Sequence, residues 1–317
     1  MPTARILVFS VLLLLACATA PTPPAAPAAS PAAPHAEALA PPSGGPAAAA
    51  APGPVSVTDA TRLMELPVQA RADLLDVFAE ERVSGTIALF DSGTNVLSCS
   101  DVERCRRVHV PASTFKIANS IIALETGVVT DPDTVLPWNG TTYTNPDWNQ
   151  DLTLRAAVRV SCLPCFQGIA RKIGEARMRE WLARLDYGNQ DISGGVDRFW
   201  VWGGLRISPI AELDFVRRLD LGKLPIRELT RETVIDLITL DVTEDFVLRG
   251  KTGLSGPPDG DELFGWFVGW VERGPRRVYF ATALDGYQGE GSGLDGVKNA
   301  RRRVTERVLQ RLGLLPS

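Results

Sequence analysis

Pro111-Ala112-Ser113-Thr114-Phe115-Lys116-Ile117-Ala118-Asn119-Ser120-Ile121-Ile122-Ala123-Leu124-Glu125-Thr126-Gly127 is the stretch from which the rest of this 317-residue chain can be read. Apolar residues at 117, 121 and 124 give it one burying face and Gly127 supplies a C-terminal stop, so the pattern predicts a buried helix. Ser113 and Lys116 stand three residues apart at its start, which places both side chains on one face with Cβ atoms about 5–6 Å apart. A serine hydroxyl is a weak nucleophile until a base removes its proton, and a lysine can be that base only where burial or modification strips its charge. The positive end of the helix dipole favours negative charge developing at Ser113. Taken alone, a Ser and a Lys at this spacing are as readily two surface residues.

Upstream, Gly85-Thr86-Ile87-Ala88-Leu89-Phe90 reads as a strand, followed by the turn Asp91-Ser92-Gly93-Thr94-Asn95 and a second strand through Val96 and Leu97, which predicts a hairpin. Downstream, Met178, Trp181, Leu182 and Leu185 fall at i, i+3, i+4 and i+7, the stripe of an amphipathic helix between Glu175 and Asp186. Residues 245–249, 263–271 and 277–284 read as three strands of an antiparallel meander, the last two joined at Gly274-Pro275. Val297, Arg301, Val304, Val308 and Leu312 keep a helical period that would lay a final helix across that sheet. The fold class expected is α+β: an antiparallel sheet flanked by N- and C-terminal helices, with an all-helical lobe inserted.

Composition removes several functions. Lys and Arg number 33 against 37 Asp and Glu, a formal charge of −4, so the basic surplus that nucleic-acid binding requires is missing. Of only two histidines, His35 lies in a stretch that is not expected to fold, leaving His109 alone to build a metal centre or a Ser-His-Asp triad. The four cysteines Cys99, Cys105, Cys162 and Cys165 are spaced poorly for a zinc knuckle, so no metal is expected; local disulfides Cys99–Cys105 and Cys162–Cys165 are the first expectation, with buried thiols as the alternative.

The beginning of the chain has a different character. Arg5 precedes the apolar residues 6–9 and 11–15, too short to span a bilayer but suited to a secretory signal. Leu14-Leu15-Ala16-Cys17 has the form of a lipobox, which would make residues 1–17 the signal and Cys17 a lipidated N-terminus; cleavage after Ala18-Thr19-Ala20 is the alternative. Residues 18–54 hold 16 Ala and 11 Pro and read as a disordered tether, leaving 55–317 as the catalytic domain. Either cleavage implies export.

A second motif lifts the Ser–Lys pair above chance. Lys251-Thr252-Gly253, after the strand ending at Arg249, combines a cation, a hydroxyl and a residue without a side chain, which suits a strand that clasps a carboxylate while its backbone nears a ligand. Ser-x-x-Lys with a downstream Lys-Thr-Gly is the pair used by serine penicillin-recognising enzymes.

With Leu124-Glu125-Thr126-Gly127, Tyr187-Gly188-Asn189, Asp191-Ile192-Ser193-Gly194, Phe199-Trp200 and Trp266-Phe267-Val268-Gly269-Trp270, the chain resembles the class D β-lactamases, or oxacillinases, over about residues 84–312. The resemblance implies Ser113 as acylated nucleophile and Lys116 as N6-carboxylysine, a carbamate made with CO₂ or bicarbonate that acts as general base; no other cofactor is implied. Trp200 would hold the carbamate through its indole N–H, with Phe115, Ile117, Leu163 and Val201 as apolar walls. Ser161 would pass a proton to the leaving nitrogen, and the N–H groups of Ser113 and Leu254 would form the oxyanion hole. Lys251, Thr252, Gly253 and one of Arg301, Arg302 and Arg303, with Arg301 favoured, would bind the substrate carboxylate. Tyr187, Gly188 and Asn189 form the middle motif and also suit a structural turn at a helix end. Ser161-Cys162-Leu163 departs from Ser-x-Val, so water access beside Lys116 is open to change. The expected partner is a small β-lactam, hydrolysed in the periplasm by an enzyme anchored through Cys17; the alternatives are a penicillin sensor that stays acylated and a transpeptidase. Substrate spectrum and oligomeric state are not legible.

Overall fold

Alternation along the strands sorts apolar side chains into two cores, one on each face of a sheet. In β2 (Val83–Asp91), Ile87 and Leu89 join one core while Ala88 and Phe90 join the other. The same division runs through β8 (Phe264–Arg273), where Phe267 and Val271 oppose Trp266, Val268 and Trp270, and through β9 (Arg276–Tyr287), where Phe280 and Leu284 oppose Tyr279, Ala281 and Ala283. A strand buried on both faces needs cover on both, and helices supply it.

The structure, a computed structural model, describes residues 58, 61–256, 263–290 and 293–316. The signal, the tether and Cys17 lie outside the described residues. Besides β2, β8 and β9, the sheet holds β1 (Val68–Ala70), β3 (Val96–Cys99), β6 (Thr239–Val242) and β7 (Val247–Ser255), in the order β1-β3-β2-β9-β8-β7-β6. Every neighbouring pair is antiparallel, as expected, except that the short edge strand β1 runs parallel to β3. β1 is three residues long and carries no alternation in the sequence that would have marked it.

One face packs on α1 (Leu75–Glu80) and α8 (Gly293–Arg311), whose Val297, Ala300, Val304, Val308 and Leu309 close the first core. α8 sits close enough that a Cβ on Gly265 would stand 2.4 Å from Val297 Cγ1. The chain between β3 and β6 forms the helical lobe: α2 (Lys116–Glu125), α3 (Leu154–Arg159), α4 (Leu163–Ile173), α5 (Glu175–Leu185), α6 (Pro209–Asp220) and α7 (Glu228–Leu237), with the small hairpin β4 (Val135–Leu136) and β5 (Leu152–Thr153). α2 is buried along its length because Ile117, Ile121, Ile122 and Leu124 leave no polar face wide enough to need water. Gly127, with φ of +69°, ends it as expected.

Two boundaries differ from the sequence reading. The helix does not begin at Pro111; residues Ala112–Phe115 form a 3₁₀ turn that leads into α2. β7 does not end near Arg249 but pairs with β8 from Val247 opposite Glu272 to Ser255 opposite Phe264, so Lys251-Thr252-Gly253 lies within the strand.

Phe280 is fully buried against Phe267, ring centroids 4.9 Å apart, in the core that faces α8. Phe280→Ala is expected to cost about 3–5 kcal/mol of stability, read as a lower urea midpoint.

Candidate active site

The turn carrying Ser113 is fixed from three directions. Ala112 N–H donates to the Trp200 carbonyl at 2.8 Å, Trp266 Nε1–H donates to the Val110 carbonyl at 2.9 Å, and His109 bridges the backbone of Ile207. Ala112 adopts a φ of +50°, in the left-handed region that a non-glycine residue enters at a cost. β7 presses on the same turn: a Cβ on Gly253 would lie 3.0 Å from the Pro111 carbonyl oxygen and 3.1 Å from Trp266 Cβ, so a side chain there would need its neighbours to give by a few tenths of an ångström.

Lys116 Nζ donates to Ser113 Oγ at 2.8 Å. The amine is about 1% exposed, and its nearest aromatic face is Phe166, 5.3 Å from Nζ to the ring centroid. No ion pair with a carboxylate joins Lys116 among the described residues, and burial pulls its pKa from 10.5 to about 7. Phe115 and Ile117 are buried beside it, while Leu163 and Val201 are half-buried at the edge of the same core. Trp200 stacks on Phe115 at 5.3 Å between centroids, and its Nε1–H is buried without an acceptor among the described residues. An orphaned donor of this kind is costly unless something accepts it.

A second Ser–Lys pair lies close enough that the Lys116 charge acts on its lysine. Lys251 Nζ donates to Ser161 Oγ and to the Thr252 carbonyl, both at 3.0 Å. Ser161 stands in the turn between α3 and α4 with a φ of +55°. Cys162 is bonded to Cys165 at the head of α4, and Cys99 to Cys105. Burial first, then the Lys116 and Arg301 charges, hold Lys251 well below its ordinary pKa. Arg301 donates to the Gly253 carbonyl at 2.7 Å, its Nε–H has no acceptor, and burial lowers its pKa to about 10. Its two neighbours turn away: Arg302 pairs with Asp241 and Glu306, Arg303 with Glu81. Leu254 continues β7 opposite Gly265.

Residues 86–309 match the family described as the penicillin binding protein transpeptidase domain. The β-lactamase OXA-10 of Pseudomonas aeruginosa is 39% identical over 209 residues, 66% of this chain and 79% of the relative. OXA-48 of Klebsiella pneumoniae is 38% identical over 239 residues, 75% of this chain and 87% of the relative. A solved class D β-lactamase, YbXI from Nostoc, superposes with a TM-score of 0.71 at 37% identity, over 76% of this chain and 99% of its own. The chain belongs to the class D β-lactamases.

Among the described residues no hydrogen bond joins the middle motif of this class D β-lactamase to either Ser–Lys pair. α5 ends at Leu185, Asp186 turns left-handed, and Gly188 at φ +55° passes so close to Arg206 that a Cβ would stand 2.4 Å from its carbonyl oxygen. Asn189 Nδ2–H donates to the Gly204 carbonyl at 2.9 Å, and Asn189 Oδ1 accepts from Arg206 N–H at 2.9 Å, tying down the loop after Trp200. Tyr187 is fully buried and donates to Glu212 Oε1 at 2.9 Å. Glu212 and Phe166 were not foreseen. Glu212 lies on the buried face of α6 with Phe215 and Leu219, so the only signal was a carboxylate in an apolar stripe. Among the described residues no three His, Cys, Asp or Glu side chains gather as a metal site.

The Lys116 amine links stability to pH. Unfolded, it keeps its proton to about pH 10.5, whereas folded it releases it near pH 7, so between those values the unfolded state binds more protons and stability rises with pH. Lys116→Met is expected to flatten that rise, read as urea midpoints across the window.

Proposed function

We propose that this enzyme hydrolyses the β-lactam amide of penicillin-type antibiotics through a Ser113 acyl-enzyme and so confers resistance to them. The observation that carries the reading is the buried Lys116 amine, 2.8 Å from Ser113 Oγ, with no carboxylate among the described residues to keep it charged. Ser113 Oγ attacks the lactam carbonyl carbon while its proton leaves along the bond to the Lys116 side chain. The C–N bond breaks, and Ser161, held by Lys251, delivers the proton that the nitrogen needs. The proton taken from Ser113 passes from the Lys116 side chain to Ser161, replacing the one given to nitrogen; water then attacks the ester, its proton passes to the freed Lys116 side chain, and as the ester C–O bond breaks that proton returns to Ser113 Oγ. The N–H groups of Ser113 and Leu254 would receive the carbonyl oxygen as it gains charge.

The residues fit a carboxylated Lys116. A neutral amine is the form that captures CO₂, the pocket is apolar, and Trp200 Nε1–H is a buried donor awaiting an acceptor. When bound, CO₂ supplies an anionic base on Nζ in place of an amine. Trp200 would hold and orient it.

Arg301, with Lys251 and Thr252, is assigned to the substrate carboxylate. Lys251 and Arg301 have no ion pair to an acidic side chain among the described residues, an arrangement that an anionic ligand relieves. The N-terminal segment is assigned to export and to periplasmic tethering through Cys17, since residues 6–15 suit a signal and 14–17 a lipobox. Among the described residues no helix is long and apolar enough to cross a membrane.

Release of product from a penicillin, measured with and without added bicarbonate, tests the whole reading: turnover should rise with bicarbonate, and a stable adduct without turnover would overturn it. Lys116→Ala should keep the fold by circular dichroism yet lose about 10²–10⁴-fold in turnover. Arg301→Ala should raise KM about tenfold to a hundredfold, with a smaller change in kcat, because it removes a charge-assisted contact of about 1.5–3 kcal/mol.

A further inference from the structure

The proton count around Glu212 does not close if its carboxyl is ionised. Glu212 Oε1 lies 2.5 Å from Thr114 Oγ1 and 2.9 Å from the Tyr187 hydroxyl, and Oε2 is buried without a partner among the described residues. Thr114 Oγ1 also lies 2.7 Å from the Pro111 carbonyl oxygen, which can only accept. Thr114 has one hydroxyl proton for two oxygens. With an ionised Glu212, one of those two short contacts would hold no hydrogen, and Oε2 would be an unpaired anionic acceptor in a dry core. With the acid protonated on Oε1, each contact is served: Tyr187 donates to Glu212, Glu212 donates to Thr114, and Thr114 donates to the Pro111 carbonyl.

We propose that Glu212 works as a neutral carboxylic acid, a positioning residue whose proton completes a relay from Tyr187 through Thr114 to the Pro111 carbonyl and thereby fixes the turn that carries Ser113. The chain ends two residues before the nucleophile, next to Ala112 with its left-handed φ and against the close approach of Gly253. Its kinetic consequence rests on the hydrolytic reading given above; the protonation state does not.

The surroundings agree. From the 3₁₀ turn Thr114 faces Glu212, and from the segment after α5 Tyr187 does. On α6 itself, Asp214 is engaged by Arg62, from the segment before β1, and by Arg218. From the sheet, Tyr279 is engaged by Asp220 at the far end of α6, and Arg217 lies over the Phe90 ring. No cation is thereby assigned to Glu212. Burial raises its pKa to about 7 against the lowering effect of the Thr114 and Tyr187 bonds, so the acid is neutral below neutrality and ionises above it. Ionisation draws the Thr114 proton to Glu212 and releases the Pro111 carbonyl.

The first test is infrared spectroscopy of the whole protein against Glu212→Gln. Below neutrality the wild type should show the C=O stretch of a protonated carboxylic acid, absent from E212Q and lost as the pH is raised through about 7. A wild-type-minus-variant spectrum without that band overturns the proposal. The second test is single-turnover acylation of Ser113 by a penicillin under saturating bicarbonate. The wild-type rate should fall on the alkaline side by up to about tenfold per pH unit, and in E212Q, whose amide nitrogen can donate to Thr114 at any pH, that fall should vanish. An alkaline fall kept in E212Q overturns the proposal as well. Lys116 gives the opposite limb, on the acid side, and added bicarbonate moves that limb alone. Should neither protein be acylated, the hydrolytic reading fails and the infrared result still decides the state of Glu212. If E212Q does not fold, Thr114→Val removes the acceptor of the Glu212 proton; the acid band must then shift, and an unmoved band counts against the relay.

Discussion

An amine kept out of water beside an alcohol is the constraint on which the rest of this structure depends. Lys116 must be buried for its proton to be weakly held, and burial of a lysine is unfavourable unless the amine has a hydrogen-bond partner. Ser113 is that partner at 2.8 Å, and the Phe166 ring covers the amine. The sheet alone does not cover Nζ, because Phe166, the ring that lies over it, stands on α4 of the helical lobe. The lobe is therefore part of the chemistry as much as of the fold: it makes the dry volume in which a lysine stops being a cation.

Charge is distributed accordingly. Away from the cleft, guanidinium groups find acids: Arg62 and Arg218 hold Asp214, Arg303 and Arg307 hold Glu81, and Arg276 holds Asp91. At the two Ser–Lys pairs burial depresses Lys116, Lys251 and Arg301, the Lys116 and Arg301 charges depress Lys251 further, and the residues that satisfy the three are hydroxyls and carbonyls. Hydroxyl partners let these groups keep or surrender protons, whereas a carboxylate partner would lock them charged. The same reasoning selects Arg301 from its run of three, since only it lacks an acid.

What could be read in the sequence was local or periodic. The Ser113–Lys116 contact follows from i, i+3 spacing, and it survives the replacement of the expected helical start by a 3₁₀ turn because both forms keep those side chains on one side. The stripe of α5 and the strands β8 and β9 were equally legible, since each repeats a pattern over many residues. Long-range partners were not. Glu212 is 98 residues from Thr114 and 25 from Tyr187, and an acid within an amphipathic stripe gives no sign of what it will meet. β1 is too short for a period, and the end of β7 depended on β8 continuing to pair beyond Arg249. The sequence motif Tyr187-Gly188-Asn189 was legible as a motif, but its connection to the Ser113 turn through Glu212 was not.

Two of the left-handed non-glycine residues stand at the lysine-bonded serines. Ala112 precedes Ser113 at φ +50°, and Ser161 itself has φ +55°, and such conformations cost non-glycine residues about 1–3 kcal/mol each. Each is held by bonds that a relaxed backbone would break: Ala112 N–H to Trp200 in one case, and in the other Ser161 N–H to Val158 and Cys162 N–H to Ala157, with the Cys162–Cys165 bond just beyond. Neither residue is a glycine, so the chain has not taken the easier route to the same geometry. A glycine at 161 would lose the hydroxyl, and one at 112 would widen the range of the turn that aims Ser113. The surrounding network therefore has to fix both turns, and the Thr114–Pro111 contact belongs to that network as directly as the contacts at the cleft itself.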